Sequence, residues 1–81
     1  MKTTTLDVKG LSCPLPVLRA AKAVKGLMEG DLLVVLATDP SASTDFEAFC
    51  ETTGHELVEH TEKEGVLRIV IRCSATRPGN R

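Results

Sequence analysis

The run Leu32 to Ala37, LLVVLA, constrains the fold more than any other stretch of this chain. It is apolar throughout and rich in branched side chains. Without alternation it reads as a strand buried on both faces, not as one with a wet side. Asp39-Pro40 is the turn signal that ends it. The chain has 81 residues, enough for one small core. Phe46 and Phe49 are its only aromatics, so that core is built from Leu, Val, Ile and Ala.

Around this run the hydrophobic period changes from element to element. Thr3 to Val8, with Leu6 and Val8 on either side of Asp7, reads as a short strand. Gly10 opens a loop that carries Leu11 and Ser12 into Cys13. From Pro14 the period becomes 3.6. Val17, Ala20, Ala21, Val24 and Met28 share one face, and Arg19, Lys22 and Lys25 lie off it. Gly26 and Gly30 bracket the helix end. A second helix begins among Ser41, Ser43 and Asp45 and turns Phe46, Phe49, Cys50 and Thr53 inward. It stops at Gly54, where a left-handed residue is wanted. Glu56 to Lys63 and Val66 to Cys73 read as strands joined at Glu64-Gly65, a tight-turn signal.

The order is β-α-β-α-β-β, an α/β (α+β) fold. A strand–helix–strand unit closes as a right-handed parallel crossover. The expected architecture is therefore a two-layer sandwich: a mixed four-stranded sheet with two helices packed on one face. Residues 1–73 form a single domain, and the tail 74–81, SATRPGNR, lacks periodicity and is expected to be disordered.

Net charge is −1, which gives no bulk electrostatic case for nucleic acid or an anionic membrane. The opening MKTTTLDVKG lacks the apolar region of a secretory signal, and no apolar run reaches membrane-span length. Three widely spaced cysteines do not resemble a disulfide framework. A reducing cytoplasm is the expected setting.

The chemistry concentrates in GLSCPLPVL, residues 10–18. With Cys13 as helix N-cap and Pro14 at the first helical position, Pro14 and Pro16 remove two donors that have no helical partner. Leu15 N–H is then left for a side chain at the cap, and sulfur takes a slot that Ser, Thr, Asp or Asn usually fills. The helix dipole, that N–H, Arg19 and Lys22 would all lower the thiol pKa below about 8.5. A second frame starts the helix at Pro16, because a residue before proline avoids the α region; Cys13 then lies just outside.

A lone cysteine also serves as a small buried hydrophobe. The loop position and the stiffening prolines favour a presented, reactive thiol. No C-x-x-C exists, so thioredoxin-type exchange within one motif is excluded. His55 and His60 are the only imidazoles available as base for a Cys–His hydrolase. Cys13, Cys50, Cys73 and the two histidines lack zinc-ligand spacing, so no metal is expected. What remains is one nucleophilic thiol without catalytic machinery of its own, which describes a group carrier better than an enzyme.

The segments LDVKGLSCPLP, ATDP and DFEAFCETTGHEL resemble the TusA (SirA-like) family of small sulfur carrier proteins, whose hallmark is C-P-x-P at the start of the first helix. The likeness spans about residues 5–73. It implies the same two-layer sandwich. It also implies that Cys13 accepts sulfane sulfur as a persulfide from a cysteine desulfurase or rhodanese-like donor, then passes it to an acceptor protein. The sulfur itself is the only group carried, with no cofactor. In this likeness Cys13, Pro14 and Pro16 are the motif, Gly10 and Leu11 shape its loop, and Asp39, Pro40 and Asp45 form a second patch. Leu15 stands where some members have an acid, and Thr44 where many have a base. Both are partner-contact positions, so donor and acceptor stay open. So does the choice among tRNA 2-thiolation, molybdenum-cofactor enzyme maturation and sulfur oxidation.

Among the remaining residues, Arg19, Lys22 and Lys25 are either a solvated helix face or a docking surface for an acidic partner. Cys50 reads as core, Cys73, at the end of the last strand, as an edge-exposed thiol with nothing to give it a positive environment, and the histidines as surface. A reading of another class makes the chain a regulatory or interaction module, with Cys13 structural or redox-sensing.

Overall fold

Periodicity sorts residues 2–74, those described in the computed structural model, into six elements. These are β1 (Thr3–Asp7), α1 (Leu15–Val24), β2 (Leu32–Ala37), α2 (Ala42–Thr53), β3 (Glu56–Lys63) and β4 (Val66–Arg72). The sheet runs β1-β2-β4-β3, with β1 parallel to β2 and the other two pairings antiparallel. Of the tail expected to be disordered from Ser74, residues 75–81 lie outside the described residues, and Ser74 itself is described, with its N–H hydrogen-bonded to His55. Among the described residues no helix is long and apolar enough to cross a membrane.

The LLVVLA strand takes an inner position, as its burial requires. Leu33, Val35 and Ala37 pair with Ile71, Ile69 and Leu67 on one face. Ala20 of α1 and Ala42, Phe46, Phe49 and Cys50 of α2 pack onto that face with Val8. Phe46 is fully buried, and its ring meets that of Phe49 edge-on with centroids 6.1 Å apart. On the other face Val34 opposes Val70, and both are buried. Ion pairs Arg68–Glu59 and Arg72–Glu56 border that face.

The punctuation expected of the second half is present. Gly54 caps α2 at φ 85°, and its N–H donates to Cys50 O at 2.9 Å. Glu64 and Gly65, at φ 53° and 80°, make the β3–β4 turn. A bulge between Leu57 and Glu59 leaves Val58 exposed.

Three expectations need correction. Helix α1 ends at Val24, before Gly26, and the turn that follows closes with Leu27 N–H on Val24 O at 3.0 Å. That turn breaks the helical phase. Leu27 therefore packs toward the core, and Met28 is 74% exposed instead of inward. Cys73 is buried because β4 is a central strand, not an edge. His55 is half-buried; its ring lies 6.0 Å from that of Phe49, and its Nδ1 accepts Ser74 N–H at 3.0 Å.

Candidate functional site

The loop after β1 is shaped before it reaches the thiol. Gly10 stands at φ 85°, a region that side chains disfavour, and its N–H donates to Thr38 Oγ1 at 2.9 Å. Leu11 N–H closes a turn on Val8 O at 3.1 Å, and the Leu11 side chain packs against the core. Anchored there, the chain extends over the C-terminal end of β2. Cys13 N–H then donates to Asp39 Oδ2 at 2.7 Å, and the Cys13–Pro14 bond is cis.

Neither sequence frame for the helix start holds. Pro14 is the N-cap, α1 begins at Leu15, and Pro16 takes the second helical position, where it is buried. Leu15 N–H is not free, because it donates to Ser12 O at 2.8 Å. Cys13 therefore precedes the cap residue, and its sulfur does not fill the capping slot.

The expected lowering of the thiol pKa is also overturned. The Cys13 thiol is pushed above its ordinary value. The first cause is its hydrogen bond to the Asp45 side chain, followed by desolvation and the charges of Asp45 and Asp39; a hydrogen bond with Ser41 works the other way. Neither Arg19 nor Lys22 is among the groups acting on the sulfur. Both project from α1 into solvent, and neither they nor Lys25 form an ion pair among the described residues.

Asp39 is what joins the two halves of this mouth. Its Oδ1 accepts Ser41 N–H and its Oδ2 accepts the Ser41 hydroxyl, both at 3.2 Å, besides the Cys13 N–H. Ser41 N–H and then Cys13 N–H hold this carboxyl below the usual carboxylate range. Its carbonyl accepts Ala42 N–H at 3.0 Å, which opens α2. Asp45, on the first turn of α2, donates its own N–H to Ser41 O at 3.0 Å.

The structure thus brings Gly10, Leu11, Cys13, Pro14, Asp39 and Asp45 together at one end of the sheet. Leu15 and Leu18 are exposed on the same first turns of α1 as Arg19 and Lys22, so an apolar and basic face flanks the thiol. Pro40 and Thr44 are exposed at the start of α2, and Lys25 lies one residue past α1. Sequence reasoning missed the parts played by Ser41 and Thr38. Asp39-Pro40-Ser41 did carry a signal for the first: an Asp side chain bonding the backbone two residues on is a recurrent turn. Thr38 carried none.

Comparison with known proteins gives a consistent set of relatives. Residues 4–73 match the family described as sulfurtransferase TusA. A protein of Neisseria meningitidis serogroup A is 54% identical over 72 residues, covering 89% of this chain and 97% of its own length. The sulfur carrier protein TusA of Allochromatium vinosum is 46% identical over 69 residues, covering 85% of this chain and 91% of its own. The crystal structure of a SirA-like protein from Desulfitobacterium hafniense superposes with a TM-score of 0.78 at 33% identity. It covers 88% of this chain and 97% of that one.

Proposed function

The chain belongs to the sulfurtransferase TusA family, and from that premise we propose that it is a sulfur carrier working through a persulfide on Cys13. The observation that carries this reading is the contrast among the three free thiols. Cys13 is exposed, and Cys50 and Cys73 are buried. Transfer of sulfane sulfur requires two sulfur atoms from different proteins to meet in line, which a buried thiol cannot do.

In this reading Cys13 attacks the outer sulfur of a donor persulfide, supplied by a cysteine desulfurase or a rhodanese-like protein. The resulting Cys13 persulfide is then attacked by a cysteine of an acceptor protein. The Asp39 hydrogen bond holds the Cys13 backbone, so the sulfur is presented to each partner in the same place. Leu15, Arg19, Lys22 and Lys25 on the α1 side, with Pro40, Thr44 and Asp45 on the α2 side, frame the surface that a partner would meet. The acceptors belong to tRNA thiolation, molybdenum-cofactor maturation or sulfur oxidation, in a reducing cytoplasm. A near-neutral chain has no need to touch the nucleic acid itself. The reading of Cys13 as a redox sensor fits less well, because sensor thiols are strongly ionised and this one is pushed the other way.

Intact-mass measurement after incubation with a cysteine desulfurase and cysteine tests the proposal. One added sulfur on the wild type, lost in Cys13→Ser and kept in Cys50→Ser, is the expected result. No addition from any desulfurase or rhodanese donor would sink it.

A further inference from the structure

Two consecutive residues at the exit of β2 each hold one N–H of the loop that carries Cys13. From this we infer that Thr38 is a positioning residue for sulfur transfer: its hydroxyl, acting with the Asp39 carboxylate, fixes the direction in which the thiol is presented. The inference rests on the carrier reading above and adds a residue to it.

The N–H groups of this loop are tied down in two different ways. Lys9 N–H donates to Asp7 Oδ1 at 3.0 Å, and Leu11 N–H donates to Val8 O at 3.1 Å. Both acceptors lie on the chain just before the loop, so these bonds shape the turn without fixing where its far end sits. Gly10 N–H and Cys13 N–H cross instead to the exit of β2, 28 and 26 residues away. Gly10 donates to Thr38 Oγ1 at 2.9 Å and Cys13 to Asp39 Oδ2 at 2.7 Å. A loop held at one point can swing about it, and a loop held at two cannot. Asp39 is the point beside the thiol, and Thr38 is the point at the pivot.

Gly10 is a pivot for a physical reason. It stands at φ 85°, and a side chain built there would meet nothing within 4 Å. Packing therefore does not confine it, and glycine passes readily between backbone basins. The bond to Thr38 selects one of them. The acceptor stands on firm ground: Ala37 before it is fully buried, and Asp39 O accepts Ala42 N–H at 3.0 Å, which ties the segment to α2. The Thr38 side chain itself is exposed, so the core does not depend on it. Thr38 is not among the groups acting on the Cys13 thiol, so its part is placement and not the ionisation of the sulfur. Placement matters because a misalignment of about 1 Å costs on the order of 10²-fold when two reacting atoms must meet.

The test is single-turnover loading from a persulfidated cysteine desulfurase, read by intact mass across donor concentrations in wild type, Thr38→Val and Thr38→Ser. Thr38→Val keeps the shape of the side chain and removes the acceptor. Its maximal loading rate should fall by roughly tenfold at an unchanged half-saturating donor concentration, and Thr38→Ser should recover most of the loss. Alkylation of Cys13 by iodoacetamide, a small electrophile that needs no fixed approach, should be equal in all three. Amide hydrogen exchange gives a readout independent of sulfur: in Thr38→Val the Cys13 N–H, whose own acceptor is intact, should exchange faster. Loading of Thr38→Val at the wild-type rate overturns the proposal. So does a raised half-saturating concentration at an unchanged maximal rate, which would make Thr38 a contact of the donor. A loss that Thr38→Ser does not recover, or that alkylation shares equally, also overturns it. A wild type that takes no sulfur from any donor sinks the carrier reading, and the exchange arm then decides alone. Faster Cys13 exchange keeps Thr38 as the residue that places the thiol, and unchanged exchange removes it.

Discussion

Strand β2 has an aspartate beyond each end, and the two do the same mechanical job for different purposes. At the entry, Asp31 accepts the N–H groups of Lys2 at 3.1 Å and Met28 at 2.9 Å, tying the chain start and the α1–β2 connection together. At the exit, Asp39 accepts those of Cys13 and Ser41. The hydrogen bonds from these N–H groups lower both carboxyl pKa values. Each end also holds a thiol. Cys73 N–H donates to Asp31 O at 2.8 Å, and Cys73 is buried; Cys13 is exposed. Both thiols are pushed up, Cys73 chiefly by burial and Cys13 chiefly by the Asp45 hydrogen bond. The direction of a pKa shift therefore does not distinguish the proposed carrier thiol from the buried one. Its cause and the exposure of the sulfur do.

The sharpest way to break this comparison is to remove each sulfur in turn. Cys13→Ser is expected to abolish sulfur loading entirely and leave the unfolding midpoint unchanged, since the side chain is exposed. Loading assays paired with urea unfolding would check it; a large loss of stability would make Cys13 structural. Next in size is Asp31→Ala. It leaves the Lys2 and Met28 N–H groups without their acceptor in a part-buried setting, and the thermal midpoint should fall by roughly 5 to 10 °C. Loading should survive at temperatures where the variant is folded.

Asp39→Ala inverts that pattern. The midpoint should fall by only roughly 2 to 4 °C, because the freed N–H groups can reach water. Loading should slow several-fold as the Cys13 loop loses its anchor. Equal effects of the two aspartate changes on both readouts would dissolve the distinction between a structural end and a working end.

The smallest effect concerns the buried thiols. Burial, with a lesser contribution from Cys73, pushes the Cys50 thiol from 9.0 to about 11. A folded-state pKa above the unfolded one means that the folded chain holds the proton more tightly. The stabilisation is complete below 9.0 and is lost as pH rises toward 11. Urea midpoints across that range should decline in the wild type and flatten in Cys50→Ala.

Much of the fold was legible because periodicity and punctuation agreed. The LLVVLA strand, the Phe46–Phe49–Cys50 stripe, the Gly54 cap and the Glu64-Gly65 turn all lie where pattern placed them. The α1 end was misread because Met28 continues the 3.6 period past Gly26, and only the folded chain shows that the phase breaks first. At the site, sequence singled out Cys13, Asp39 and Asp45 but not how they meet. Local reasoning assigned the sulfur to the cap of its own helix, α1. The groups that act on it come from the β2–α2 connection and the first turn of α2, 26 residues away for the Asp39 bond. Such a tertiary contact overrides any inference from nearest neighbours along the chain.

The central claim is that Cys13, alone among the three thiols, carries sulfur. The most direct measurement loads the protein from a persulfide donor, traps all sulfurs by alkylation and maps the digested peptides by mass. The account predicts one extra sulfur on the peptide containing Cys13 and none on those containing Cys50 or Cys73. Extra sulfur on either buried thiol, or no extra sulfur on any peptide, would contradict it.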